Sequence, residues 1–192
     1  MSVLLRPTFD SMPCMPFLVG LAVRDAVAAL IDPSSEVGLK WPNDVLINQG
    51  EDGHEKKVAG ILVESLITGT SGAIAAGVGL NIIRPERWPD GFSTRAIALD
   101  QVTESPPNRQ RCLHEVLEAM ERWLAILEED GPEAILDVYR QHCTTVGRVV
   151  DYVNQDGQQI SGRATKILAT GGLRLETDDG PLDILSGDVF YQ

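Results

Sequence analysis

Apolar positions along this chain recur at two spacings, and the texture changes near residue 144. Val3–Arg6 reads as a short strand stopped by Pro7, since proline cannot donate to a ladder. The spacing then predicts a helix over about Pro16–Ile31. Pro16 suits a first-turn position, and Leu18, Leu21, Ala22, Ala26, Ala29 and Leu30 keep to one face. Asp32-Pro33-Ser34-Ser35 ends it. Strand-like runs follow at Val37–Lys40, Val45–Asn48, Val58–Leu66 and Ala73–Ile83. The polar tract Gln49–Lys57 and the segment Thr68–Gly72 connect them as loop and turn. Four prolines make Arg84–Asn108 a loop with short pieces of structure. Arg109–Glu128 has helical period, with Leu113, Val116, Leu117, Met120, Trp123, Leu124 and Leu127 as its expected buried stripe. Gly131-Pro132 starts another helix carrying Ile135, Leu136 and Tyr139.

From Thr144 onward, short β runs are punctuated by Gln155-Asp156-Gly157, Thr170-Gly171-Gly172, Asp178-Asp179-Gly180 and Ser186-Gly187-Asp188. That rhythm predicts a small all-β barrel, and with it a domain boundary near residue 144. The fold class expected is therefore α+β: a mixed β-sheet flanked by helices over residues 1–143, then a small barrel over 144–192.

Composition narrows the function without naming it. The chain has 192 residues, 43% of them hydrophobic, which is ordinary for a globular protein. Its 28 acidic residues outnumber 16 basic ones, for a net charge of −12. Such a surface repels DNA and anionic membrane, so neither is expected as a partner. Cys14, Cys112 and Cys143 are too scattered for a disulfide framework, and His54, His114 and His142 form no HExxH. They read as core thiols of a reducing compartment. The apolar stretch after Arg6 is broken by Pro13 and Pro16 and continues past Arg24 and Asp25 as an amphipathic helix, unlike a signal peptide. No run reaches the roughly 18 apolar residues of a membrane span. The expected location is cytoplasmic.

Three segments carry candidate chemistry. Lys40-Trp41-Pro42-Asn43-Asp44 suits neither strand nor helix. Pro42 fixes its own φ and pushes Trp41 extended, while Asn43 and Asp44 can bond nearby backbone. A rigid loop after a strand would set Lys40 where open sheets place ligand groups. Two readings of Lys40 stand on this ground: a point charge for an anion, or a solvated lysine beside a structural turn. Lys56-Lys57-Val58-Ala59-Gly60 sets two lysines before a strand whose small residues allow close approach; a solvated loop before a tightly packed strand fits equally. Gly77-Val78-Gly79-Leu80-Asn81 begins like a dinucleotide fingerprint, but Ile82 stands where the third glycine belongs. Its two glycines would present a flat backbone face, or simply pack closely, and Asn81 offers donor and acceptor. GxxxxGK[ST], GxSxG and a defensible nucleophile–histidine pair are absent.

In order and spacing, Lys40–Asp44, Lys57-Val58-Ala59-Gly60-Ile61-Leu62-Val63-Glu64 and Gly77–Asn81 resemble the signature of biotin protein ligases. Ser2–Pro7 resembles the family strand before its first long helix, and Thr145–Val189 is similar to the family's SH3-like C-terminal domain, so the resemblance covers essentially the whole chain. It implies a class II synthetase-like catalytic domain and a two-step reaction. Biotin and ATP form biotinyl-5′-adenylate, and a lysine of a biotin carboxyl carrier protein or domain then takes the biotin. Carried over by motif, Lys40 is the catalytic lysine that meets biotin's carboxylate and the α-phosphate. Lys57 faces the phosphates, Gly60, Gly77 and Gly79 line the biotin and adenylate floor, and Asn81 contacts adenine. Trp41, Pro42, Asn43 and Asp44 shape the loop. Mg²⁺ is expected with ATP, with no protein ligand assignable. The family's GRGRxG-type biotin loop has no counterpart: the Gly-Arg pairs are Gly147-Arg148 and Gly162-Arg163, both in the tail. The chain starts after where that loop should end, and a winged-helix DNA domain is also lacking, so weak or no ligase activity is expected. Two other readings remain: a non-catalytic relative that binds ligand or partner, and a lipoate-type ligase or acyltransferase.

Overall fold

A computed structural model describes residues 1–48, 55–68, 71–92, 94–154 and 157–192. Strand β1 (Ser2–Leu5) comes first. A short 3₁₀ turn, Phe9–Cys14, then leads into α1 (Met15–Leu30). Pro16 lies in the first turn of α1, and Ile31 turns extended to end it. Together Phe9–Leu30 is long and apolar enough to cross a bilayer by length and composition, contrary to the expectation that no run would be. Its apolarity has another cause, because 67% of its most apolar window is buried inside the protein.

Four strands follow: β2 (Glu36–Lys40), β3 (Asp44–Asn48), β4 (Glu55–Thr68) and β5 (Ser71–Leu80). Glu55–Lys57, expected as loop, extend β4, while the rest of that tract, 49–54, lies outside the described residues. Of the expected turn at 68–72, Thr68, Ser71 and Gly72 sit in strands, and Gly69 and Thr70 lie outside the described residues. The sheet order is β1-β5-β4-β3-β2. Every pairing between these strands is antiparallel, which corrects the expected mixed sheet. The physical reason is local: β2 to β5 follow one another in sequence, and consecutive paired strands without a crossover run antiparallel.

Helix α1 packs on β2 to β5, and α2 (Arg109–Asp130) and α3 (Pro132–His142) pack on α1. Surrounded in this way, α1 buries Phe17, Val19, Val23 and Val27 as well as the predicted face, and Ala29 is exposed instead of buried. In α2 the buried set is Cys112, Val116, Ala119, Met120, Trp123 and Leu127. Leu113 and Leu117, expected in that stripe, are exposed at 43% and 38%. They lie one step round the helix from the line that meets α1, so the stripe is narrower than apolarity alone suggests. Asn108 caps α2 by accepting from the Arg111 N–H. The 84–108 stretch is mostly irregular, with a 3₁₀ turn at Leu99–Gln101 and a bridge from Ala96 to Lys57.

The C-terminal strands β6 (Val149–Val153), β7 (Gln159–Ile167), β8 (Leu173–Thr177), β9 (Gly180–Ile184) and β10 (Val189–Tyr191) form a second antiparallel sheet, ordered β10-β6-β7-β8-β9. Of the four predicted turns, Gln155 and Asp156 lie outside the described residues, while Gly157, Gly171, Gly180 and Gly187 all hold positive φ. Gly171 is the most constrained of these. Its φ is +82°, and an added Cβ would lie 2.4 Å from the Phe17 ring of α1. Both the backbone and the space exclude a side chain. Gly171→Ala is expected to lower stability by about 2–3 kcal/mol in urea unfolding, with an unchanged m-value; a midpoint equal to the parent's would contradict this packing.

Candidate active site

Register brings the signature segments into one line. Lys40 pairs with Asp44 across β2–β3, Asp44 with Gly60 across β3–β4, and Gly60 with Gly79 across β4–β5. Directly opposed residues share a sheet face, so these four positions form a row across four strands. Gly77, opposite Leu62, lies two residues along β5 on the same face. The face opposite α1 thus has a floor of Gly60, Gly77 and Gly79.

Lys57 reaches this face through an irregularity. The β3–β4 register shifts between Val45 and Leu46, whose partners are Ala59 and Lys57. Val58 is the extra residue of a β-bulge, and Val58 and Ala59 are both buried. A bulge re-aims the residue beside it. Lys57 therefore lies over Gly60: a Cβ built there would meet Lys57 Cε and Nζ at 3.0 Å. Its Nζ is 2.5 Å from Asp44 Oδ1, an ion pair whose angle is not that of a hydrogen bond.

A cleft of about 420 Å³ is lined by Asn43, Lys57, Gly60, Leu62, Gly77 and Gly79, among others. Most of the predicted binding residues meet there, but two do not. Asn81 lines a neighbouring cleft with Ile83, Pro106 and Asn108. Its Nδ2 donates to Lys57 O at 3.4 Å and to Ile97 O at 3.1 Å, committing both amide hydrogens to backbone. Asn81 thus fastens the 96–99 segment to β4, and its Oδ1 is the atom left to meet a ligand. Lys40 is also outside the cleft lining. Its Nζ lies 5.2 Å from the Tyr191 ring centroid and 5.7 Å from that of Phe190. Burial pushes the Lys40 ammonium below its ordinary value; Asp44 and Asp188 oppose the shift, and Lys57 and Arg95 add to it.

The loop itself is held from three sides. Asn43 donates from Nδ2 to Ile61 O, and its own carbonyl accepts from the Ile61 N–H at 2.9 Å. The Trp41–Pro42 peptide is cis. Trp41 is 1% exposed; its backbone N–H donates to Thr145 Oγ1 and its indole N–H to Gly171 O, both at 3.0 Å. Asn43 and Trp41 are tied to β4 and to the C-terminal segment by these bonds, and Asp44 is the charge partner of Lys57. Sequence reasoning missed Arg95, Arg148, Phe190 and Tyr191, whose neighbourhood only tertiary contact creates. Among the described residues, no group of three or more His, Cys, Asp or Glu side chains could hold a metal.

Residues 1–81 match the family model described as "Biotin/lipoate A/B protein ligase family". The chain is 34% identical over 173 residues to the biotin–[acetyl-CoA-carboxylase] ligase of Mycobacterium tuberculosis, covering 90% of this chain and 60% of that protein. It is 29% identical to the Paracoccus denitrificans protein of the same name, over 99% of this chain and 78% of that one. Against the crystal structure of biotin protein ligase from Aquifex aeolicus the TM-score is 0.78 at 26% identity, covering 100% of this chain and 80% of that one. A structure of the Aquifex protein in complex with biotin and ATP matches with TM-score 0.76 at the same identity, covering 76% of that chain. By sequence and by fold the chain is similar to biotin protein ligases. It spans about 60% of the length of the Mycobacterium relative.

Proposed function

We propose that this chain activates biotin with ATP to biotinyl-5′-adenylate and passes biotin to a lysine of a biotin carboxyl carrier domain, such as that of acetyl-CoA carboxylase. The observation that carries this reading is the row Lys40–Asp44–Gly60–Gly79, with Lys57 lying over Gly60. A glycine floor lets a flat ligand lie against backbone, and cations beside it suit an anionic one. Lys40 and Lys57 sit there beside Asp44, within a chain of net charge −12. The relatives' names and the complex with biotin and ATP support the same ligands.

In the first step a biotin carboxylate oxygen bonds to the α-phosphorus of ATP, and the bond to pyrophosphate breaks. Lys40 and Lys57 hold two anions together and offset the charge that builds on the phosphoryl oxygens. In the second step the carrier's amine attacks the acyl carbon, AMP departs with the bonding electrons, and the amine proton passes to solvent. Mg²⁺ would arrive on the ATP phosphates, keeping much of its water. Residues 1–143 would make the catalytic unit, and 144–192 an SH3-like barrel that supports the loop through Trp41. The acidic chain is proposed to work in the cytoplasm without binding DNA or membrane.

The test is pyrophosphate release with biotin and ATP, together with calorimetric titration of each ligand. Saturable biotin binding without turnover would instead assign the chain to a non-catalytic relative, and turnover with lipoate in place of biotin to a lipoate-type ligase. Gly79 offers a specific check, since an added Cβ there meets only Gly60 O at 3.8 Å and is tolerated by the fold. Gly79→Val is expected to weaken biotin binding by about 10- to 100-fold by filling the floor, with little change in melting temperature. Unaltered affinity would remove the glycine floor from the site.

A further inference from the structure

The last strand of the C-terminal sheet reaches back to Lys40. Phe190 and Tyr191 of β10 present their rings at 5.7 and 5.2 Å from its Nζ, within cation–π range. Tyr191 is itself fixed. Its hydroxyl shares hydrogen bonds with Thr144 Oγ1 and Thr145 Oγ1, each at 3.1 Å. Its ring also lies 4.4 Å from the Arg148 guanidinium, which is ion-paired to Glu55 at 2.9 Å. Thr145, fully buried, accepts from the backbone N–H of Trp41. The residue after Lys40 and the ring facing Lys40 are therefore fastened to one buried hydroxyl.

The carboxylates nearby leave this arrangement undisturbed. Asp44, the cross-strand neighbour of Lys40, is taken by Lys57. Lys40 has no ion pair of its own among the described residues, although Asp188, in the turn before β10, is close enough to bias it. Lysine has a flexible four-carbon stem carrying about 2 kcal/mol of rotamer entropy. Two rings within reach of the ammonium remove part of that freedom before any ligand arrives.

We propose that Tyr191, assisted by Phe190, is a positioning residue for Lys40, so that the C-terminal sheet holds the ammonium beside the glycine-floored cleft. The contact stands on geometry alone; its consequence for rate rests on the ligase reading. The charged groups around Lys40 are Asp44 on β3, Lys57 on β4, Arg95 in the loop after β5 and Asp188 before β10, with Glu55 and Arg148 behind Tyr191. None of these is itself substituted when the rings are changed, and Tyr191→Phe also keeps the ring against Arg148.

The test uses the full chain with ¹³C-labelled lysine, of which there are four, with Lys40 assigned by Lys40→Arg. In the parent the Lys40 Cε protons are expected upfield of the other three, shifted by the two ring currents. Tyr191→Phe keeps the ring and loses only the hydroxyl bonds, so the shift stays. Tyr191→Leu moves the resonance toward its ordinary position, and Phe190→Leu, at a half-exposed site that tolerates change, moves it part of the way. In adenylate formation, Tyr191→Leu should lower kcat about tenfold with KM for biotin nearly unchanged, while Tyr191→Phe stays within about twofold. An unshifted Lys40 in the parent, or equal losses in Tyr191→Phe and Tyr191→Leu, would overturn the proposal; equal losses would assign Tyr191 a purely structural role. If the parent forms no adenylate, the ligase reading falls, and the resonance comparison alone decides the contact.

Discussion

Lys40→Ala is expected to lower biotinyl-adenylate formation by roughly 10³-fold while leaving the fold intact, as for loss of a preorganised charge-stabilising donor. The expectation rests on position and surroundings. Lys40 heads the row that continues through Asp44, Gly60 and Gly79, and its ammonium is partly withdrawn from water. A charge in such a place acts more strongly on an anion than a solvated one does. Lys57 cannot replace it, because that ammonium already faces Asp44 at 2.5 Å. Far-ultraviolet circular dichroism and melting temperature should be nearly unchanged, since Lys40 is not among the core residues.

The pH profile supplies a second readout. Burial holds the Lys40 value below that of an ordinary lysine, so its charge disappears as pH rises through the lowered value. Activity should therefore decline on the alkaline side earlier than an ordinary lysine would dictate. A Lys40→Ala protein with at least a tenth of parental adenylation would remove Lys40 from the chemistry.

The second large effect concerns stability. Trp41→Ala is expected to cost about 3–5 kcal/mol, the range for truncating a buried aromatic side chain. Trp41 is 1% exposed and its indole N–H serves the Gly171 carbonyl, in the turn that packs on Phe17 of α1. Truncation leaves a cavity between the two sheets and an unpaired carbonyl within it. For a protein of this size, that corresponds to a fall of about 6–20 °C in melting temperature. Trp41→Phe refills most of the volume and loses the indole bond, so it should lie between the two. A fall of only a degree or two in Trp41→Ala would mean that the indole does not join the sheets.

The two variants differ in what they report. Lys40 sits on the last residue of β2 and Trp41 is the next residue, yet one heads the row of the candidate site and the other faces the protein interior. An alternating extended chain produces this division. It also explains why the loop is rigid: its bulky member is anchored in the core on the opposite side from its charged one.

Periodicity in the sequence was enough to locate α1, α2, α3 and most strands, because apolar spacing is a local property. The glycine turns of the C-terminal sheet were legible for the same reason, since positive φ is a demand on single residues. The order of Lys40–Asp44, Lys57–Glu64 and Gly77–Asn81 marked a candidate site by resemblance, and Lys57, Gly60, Gly77 and Gly79 line one cleft. Burial was less legible: Leu113, Leu117 and Ala29 are as apolar as their buried neighbours, and only the docking of α1 against α2 and the sheet decides between them. The pairing of β1 with β5, the extra residue at Val58 that turns Lys57 over Gly60, and the approach of Phe190 and Tyr191 to Lys40 were not legible at all. Each depends on register or contact between segments distant in the chain. A sequence states which side chains are available, whereas only pairing and packing state which of them meet.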